Sequence, residues 1–168
     1  MYGEIITIGD ELTAGRTVDL NAWYAAGKIA SSGLGITRVT SVGDNAEMVS
    51  EALKRACLSS RFVIVTGGLG STRDDITSEI VARAFNRPLS ANLEMLDKIR
   101  CFVKKRGMEI TSSIEKMANL PDGATLIHPK GAVCGYSLVE KDVHLYFLPG
   151  VPNQMRYLMD TFVLPDIL

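Results

Sequence analysis

The sequence predicts an α/β protein built on a mostly parallel, finally mixed sheet, and three observations predict it. Short β-branched runs alternate with stretches of helical apolar spacing from the start of the chain to about residue 85. Each of the first three runs breaks into a glycine-containing turn that carries carboxylates. Two late apolar runs are separated only by Glu140-Lys141-Asp142, as in a hairpin, which adds an antiparallel element. Alternation of this kind builds right-handed βαβ crossovers, so the turns after successive strands gather at the carboxyl edge of one sheet.

The first strand is residues 4–8, with Ile5, Ile6 and Ile8, and it breaks at Gly9 into Asp10-Glu11-Leu12-Thr13-Ala14-Gly15. Asn21 is the expected cap of a helix over 22–32, with Trp23, Ala26, Ile29 and Ala30 on its apolar side and Gly33 and Gly35 ending it. Residues 36–42 form the second strand, which ends in Gly43-Asp44-Asn45. A helix over 46–57, striped by Met48, Val49, Ala52, Leu53 and Ala56, leads to the third strand at 61–66. After Pro88 a longer helix spans 91–106, with Leu93, Leu96, Ile99, Phe102 and Val103 apolar and Lys104, Lys105 and Arg106 at its negative end. A short helix over 111–119 precedes the turn Leu120-Pro121-Asp122-Gly123. Strands follow at 125–128, 136–139 and 143–148, and Leu148-Pro149-Gly150-Val151-Pro152 enters a last helix running to Phe162, with Pro152 in its first turn.

The chemistry centres on Val63-Ile64-Val65-Thr66-Gly67-Gly68-Leu69-Gly70-Ser71-Thr72-Arg73-Asp74-Asp75, a buried strand, a glycine turn and a pair of carboxylates ahead of a helix over 78–85. Three glycines in four positions let backbone approach a ligand, and the free N–H groups of the following helix favour an anion there. Asp74 and Asp75 would repel a phosphate unless a hard divalent cation with oxygen ligands lay between, and Mg²⁺ is the natural choice. The turn is no P-loop, since no Gly-Lys-Ser/Thr follows it, and it lacks the G-x-G-x-x-G spacing of a dinucleotide fold. Its plainer structural role is also written in the residues, because Thr72 and Asp75 stand at the spacing of a capping box.

At 168 residues, 46% hydrophobic and 22% charged, the chain is expected to form a single domain with its own core and no linkers or repeats. Eighteen basic against 19 acidic residues give a net charge of −1, which points away from nucleic-acid and membrane partners and toward a small ligand. No apolar run is long enough for a transmembrane helix and no basic leader precedes the first strand, so a cytoplasmic protein is expected. Cys57, Cys101 and Cys134 are odd in number and unpaired in spacing, which fits buried thiols; isolated His128 and His144 fit structural positions.

Taken in order, Gly9-Asp10-Glu11-Leu12 with Gly15, Asp19 and Asn21, then Val42-Gly43-Asp44-Asn45, Thr66-Gly67-Gly68-Leu69-Gly70 with Asp74-Asp75-Ile76-Thr77, and Leu148-Pro149-Gly150-Val151-Pro152, resemble the MoaB/Mog molybdopterin-binding domains. Among these the likeness is to the amino-terminal domains of the CinA group, and it spans nearly the whole chain. The resemblance implies a three-layer α/β/α sandwich, a pocket for molybdopterin or a related phosphorylated pterin or nucleotide, and assembly as a homodimer or homotrimer. Mog-like members transfer AMP from Mg-ATP to molybdopterin, whereas CinA-like members are associated with metal-dependent hydrolysis of ADP-ribose and related pyrophosphates. Carried over by motif, Asp44 and Asp75 are the expected catalytic residues, with Asp44, Asp74 and Asp75 the expected ligands of Mg²⁺ or another divalent cation. Ligand contacts are expected from Gly9, Asp10, Glu11, Thr66, Gly67, Gly68, Gly70, Ser71, Thr72, Pro149, Gly150 and Pro152.

The sequence departs from the CinA pattern at Ser71, where proline is usual, and at Leu20, where threonine is usual. Residues 131–136 follow the family's glycine segment only loosely. The likeness does not extend to the deamidase domain of the longer proteins, so that activity is not expected of these residues. Three functions stay open on the sequence: pyrophosphate hydrolysis, adenylyl transfer to molybdopterin in cofactor assembly, and a non-catalytic binding scaffold.

Overall fold

The computed structural model describes residues 1–128 and 135–168. Its main sheet has six strands in the order β2-β1-β3-β8-β7-β6, with β1 Tyr2–Ile8, β2 Gly35–Val42, β3 Phe62–Thr66, β6 Thr125–Ile127, β7 Gly135–Glu140 and β8 Val143–Leu148. The four strands β2, β1, β3 and β8 run parallel, and the β7–β8 hairpin and β6 add the antiparallel part. The predicted mixed sheet is therefore the observed one.

Alternation along the central strands builds the layers. In β1 and β3, Ile6, Val63 and Val65 face one side, where Val49, Ala52, Leu53 and Ala56 of α3 (Ala46–Ser59) and Ile80 and Val81 of α4 (Thr77–Ala84) cover them. Ile5, Phe62 and Ile64 face the other side, under Ala22, Ala25 and Ile29 of α2 (Leu20–Ser31) and Met155 and Leu158 of α7 (Pro152–Leu158). The result is a three-layer sandwich with two separate apolar cores. Between α2 and β1 lies a short helix, α1 (Asp10–Thr13). Past α7 the helix widens to a π-helical segment, Met159–Val163, before α8 (Leu164–Ile167). Pro165 explains the widening: it has no N–H to return to the carbonyl of Thr161.

Several sequence expectations need correction. Asp19, not Asn21, caps α2 by accepting the Ala22 N–H, and Asn21 lies buried inside the first turn. Trp23 is 72% exposed and Met48 53% exposed, so neither belongs to the stripe assigned to it; the apolar face of α2 is Ala22, Ala25 and Ile29. The long helix begins after Asn92 as α5 (Leu93–Lys105), with Leu93 exposed, because residues 89–91 are taken by β4 (Leu89–Ala91). That strand pairs antiparallel with β5 (Asn119–Pro121), where a helix end and turn are expected from sequence; the expected short helix is shorter, α6 (Ser112–Glu115), and a 3-10 turn over Lys116–Ala118 joins it to β5. Three-residue strands are too short to show a period of two, which is why both were invisible.

The cysteines divide. Cys57 is half-buried, and that burial, with the Glu140 carboxylate near it, pushes its thiol up to about 11, while Cys101 is exposed and so corrects the expectation of buried thiols. Cys134 lies outside the described residues. A maleimide at pH 7.5, followed by peptide mass mapping, is expected to label Cys101 within minutes and to leave Cys57 largely unlabelled. Equal labelling of the two would contradict this packing. His128 stands against Phe162 at 4.7 Å between ring centroids, and His144 is exposed on β8. Among the described residues no helix is long and apolar enough to cross a membrane.

Candidate functional site

The five residues of β3 are all buried, and the chain leaves the sheet at Gly67 with φ +108. A Cβ on Gly67 would stand 2.2 Å from the carbonyl oxygen of Ile8, so only glycine permits this approach of the two strand ends. Thr77, the first residue of α4, locks the turn: its Oγ1 donates to the Gly67 carbonyl at 3.0 Å and its N–H to the Gly68 carbonyl at 3.1 Å. The N–H groups of Gly68, Leu69, Gly70 and Ser71 donate to no acceptor among the described residues. Successive free N–H groups ahead of a helix make a concavity suited to an anion.

The turn after β8 lies against this one. Gly67 donates its N–H to the Leu148 carbonyl at 3.1 Å, and Thr66 Oγ1 donates to the Pro149 carbonyl at 2.9 Å. Asn21, 9% exposed, ties the two together, because its Nδ2 donates to Thr66 Oγ1 at 3.0 Å and to the Gly150 carbonyl at 2.8 Å. Asp19 performs the same service for the first two strands: its carboxylate accepts from Thr7 Oγ1 at 2.7 Å and from Ser41 Oγ at 3.3 Å. Neither residue was among the expected site residues. The available signal was their place in the Asp19-Leu20-Asn21 motif, and a polar residue's burial cannot be read from a helical stripe. Pro149 is half-buried beside the glycine turn, and Pro152 is the exposed first residue of α7.

The acidic side of the rim is formed by the ends of β1 and β2. The Asp10 N–H donates to Asp44 Oδ2 at 3.0 Å and the Asp44 N–H donates back to Asp10 Oδ1 at 2.9 Å. Gly43 leaves room beside them, since a Cβ there would stand 2.5 Å from Asp10 Oδ1 and push that carboxylate aside. Gly9 fastens the pair by donating its N–H to the Val42 carbonyl at 2.9 Å. Asp10 and Glu11 belong to the turn of α1 and both are exposed. Partial burial holds the Asp44 carboxyl above the usual aspartate range against the lowering effect of the Asp10 N–H, and the charges of Asp10, Glu11 and Asp74 push the same way as burial. Three carboxylates from two other loops therefore act on Asp44 here.

Asp75 is differently placed. Its Oδ2 accepts from the Thr72 N–H at 2.9 Å and from Thr72 Oγ1 at 2.6 Å, one arm of the capping-box pattern, so this carboxylate braces the turn over Gly70. Lys116 closes the same loop from outside by donating to the carbonyls of Thr72 and Asp75. Among the described residues no three Asp, Glu, His or Cys side chains form a group ready to hold a metal, so Asp44, Asp74 and Asp75 are not a preformed cage. The residues still fit Mg²⁺ in its usual mode, which takes one or two carboxylates and completes its shell with ligand phosphates and water. The accumulated negative charge at Asp44 is what such a cation would relieve.

The chain is similar to known proteins in both sequence and fold. A family model described as "Probable molybdopterin binding domain" matches residues 4–168. A "CinA-like protein" of Desulfotalea psychrophila is 44% identical over 164 residues, which is 98% of this chain and 40% of that protein. The chain thus spans about two fifths of the length of that relative. The crystal structure of CinA from Thermoplasma acidophilum, a protein described as of unknown function, superposes with a TM-score of 0.90 at 31% identity, covering 99% of this chain and 98% of that one. The molybdopterin biosynthesis enzyme MoaB of Thermus thermophilus superposes with a TM-score of 0.65 at 17% identity, covering 98% and 89% of the two chains, a likeness of fold.

Proposed function

The chain belongs to the molybdopterin-binding domain family, with CinA-like proteins among its relatives, and from that premise we propose that it binds a phosphorylated pterin or nucleotide and cleaves a pyrophosphate bond with the help of Mg²⁺. One observation carries this reading: the free N–H groups of Gly68–Ser71 and the carboxylates of Asp10, Asp44 and Asp74 share one rim, drawn together by Gly9, Gly67 and Gly150. A cradle for phosphate beside a surplus of negative charge is what a metal–diphosphate ligand needs.

The N–H groups of the glycine turn hold the diphosphate, and Thr77 and Asp75 keep that turn in shape before the ligand arrives. Asp44 and Asp74 would hold the cation, which when bound polarises a phosphoryl oxygen and offsets developing charge. Asp44 keeps Asp10 in place through their mutual N–H contacts, so the acidic loops of β1 and β2 present their carboxylates together. In the overall step a water oxygen bonds to one phosphorus, the bridging P–O bond breaks, and ADP-ribose yields AMP and ribose 5-phosphate, the two protons of the water passing to the two new phosphate groups or, above their second pKa of about 6, to solvent. Incubation with ADP-ribose and Mg²⁺, followed by chromatography, is expected to show AMP. Absence of AMP together with absence of binding by calorimetry would overturn the proposal. Metal-independent binding without product would instead support a scaffold, and transfer of AMP from ATP to molybdopterin would support cofactor assembly.

A further inference from the structure

The helix α2 carries a surface that its place in the sandwich does not account for. Its inner side, Asn21, Ala22, Ala25 and Ile29, is buried, and the opposite side presents Leu20, Trp23, Gly27, Ala30 and Ser31, all exposed. None of these five carries a charge. Lys28, the one charged residue of the helix, lies to the side, with its ammonium 3.1 Å from the Asp160 carboxylate. The outer faces of the other long helices are charged, with Glu47, Glu51 and Lys54 exposed on α3 and Glu94, Asp97 and Arg100 exposed on α5. A surface helix turns a charged or polar face to water, and one without such a face is normally buried all round. The uncharged face of α2 is also uneven. Trp23, 72% exposed, projects from it, and at Gly27, one turn further along the same face, an added Cβ would meet no heavy atom within 4 Å.

We propose that the outer face of α2 is a docking surface for a second copy of this chain, with Trp23 of each protomer seated over the partner's Gly27. The spacing makes the face complementary to itself. Positions 23 and 27 are equally far from position 25, and so are positions 20 and 30. A two-fold axis at that level, with the two helices antiparallel, sets each projecting indole in the notch that the other helix leaves at its glycine, and sets Leu20 over Ala30. A face with no charge meets its own copy without like charges opposed. Two such faces occupy each other fully, so the assembly closes as a dimer and cannot grow into a trimer. A tryptophan buried at the centre of a contact supplies much of its binding energy, but one helix face is small beside the roughly 800 Å² per partner of a standard interface, so association on the order of micromolar follows. The proposal is independent of the ligand and of any turnover.

Trp23 is the only tryptophan of the chain, so its emission reports on this face alone. Sedimentation velocity from well below to well above micromolar concentration is expected to show monomer passing to dimer, with the Trp23 emission moving to the blue over the same range. Gly27→Gln fills the notch with a side chain that favours a helix more than glycine does and that points into open space. At concentrations where both are monomeric it should therefore melt no lower than the wild type, while its dimerisation weakens by about tenfold or more. Trp23→Ala should weaken dimerisation by a similar factor. A chain that stays monomeric, with emission unchanged by concentration, contradicts the proposal and leaves the face to some other partner. A trimer contradicts it as well, and so does a dimer that Gly27→Gln leaves as tight as before, since that pair is built through another face.

Discussion

Gly67→Ala is expected to lower the melting temperature by roughly 6–12 °C. The added Cβ would lie 2.2 Å from the Ile8 carbonyl oxygen, and the obstacle is backbone fixed within the sheet, so no flexible side chain can move aside. The residue also holds φ +108, which an L side chain rarely adopts and which alone costs on the order of 1–2 kcal/mol. With the clash, a total of about 3 kcal/mol or more follows, at roughly 2–4 °C per kcal/mol for a domain of this size. Gly15→Ala separates the two contributions, because Gly15 has φ +69 but no heavy atom within 4 Å of its would-be Cβ. That variant should lose only about 1 kcal/mol. Comparable melting points for the two variants in a calorimetric scan would show that the contact of the β1 and β3 ends is not as tight as described.

Asp44→Asn is expected to remove the metal-dependent part of ligand affinity, at least about tenfold, while making the free protein more stable at neutral pH. Both directions follow from one arrangement. The amide keeps an oxygen for the Asp10 N–H but carries no charge among Asp10, Glu11 and Asp74. In the wild type the folded Asp44 titrates above its ordinary value of 3.8, so its ionised form is less favourable in the folded chain than in the unfolded one. That penalty is present above the raised folded value and fades as the pH falls through it toward the ordinary value. The stabilisation of Asp44→Asn should therefore be seen in thermal melts at pH 7 and vanish in acid, and calorimetry with ADP-ribose, with and without Mg²⁺, should show the loss of coupling. A variant less stable than wild type at pH 7, or one with undiminished response to Mg²⁺, contradicts this account of Asp44.

The parallel core was legible because β1 and β3 carry the β-branched runs Ile5–Ile8 and Val63–Thr66 and its crossovers carry clear helical stripes. The turns were legible because Gly67, Gly68 and Gly70 and the aspartates after each strand are chemically conspicuous. What was not legible depends on distant contacts. Asn21 looked like a cap because local pattern cannot show that its amide reaches Gly150, 129 residues away. Trp23 looked like core because size and apolarity say nothing about which side of a short helix faces outward. Asp75 looked identical to Asp74 in sequence, yet one braces Thr72 and the other contributes charge at Asp44.

The strand β7 runs against its neighbour, with Tyr136 opposite Phe147 and Glu140 opposite Val143. An inverted strand delivers its beginning, not its end, to the rim where the parallel strands finish. Tyr136 thus stands beside the glycine turn, from a part of the chain that contributes no crossover helix. Tyr136 also stacks on Phe147 within the core, so a change at the start of this strand is felt in the sheet as well as beside the glycine turn.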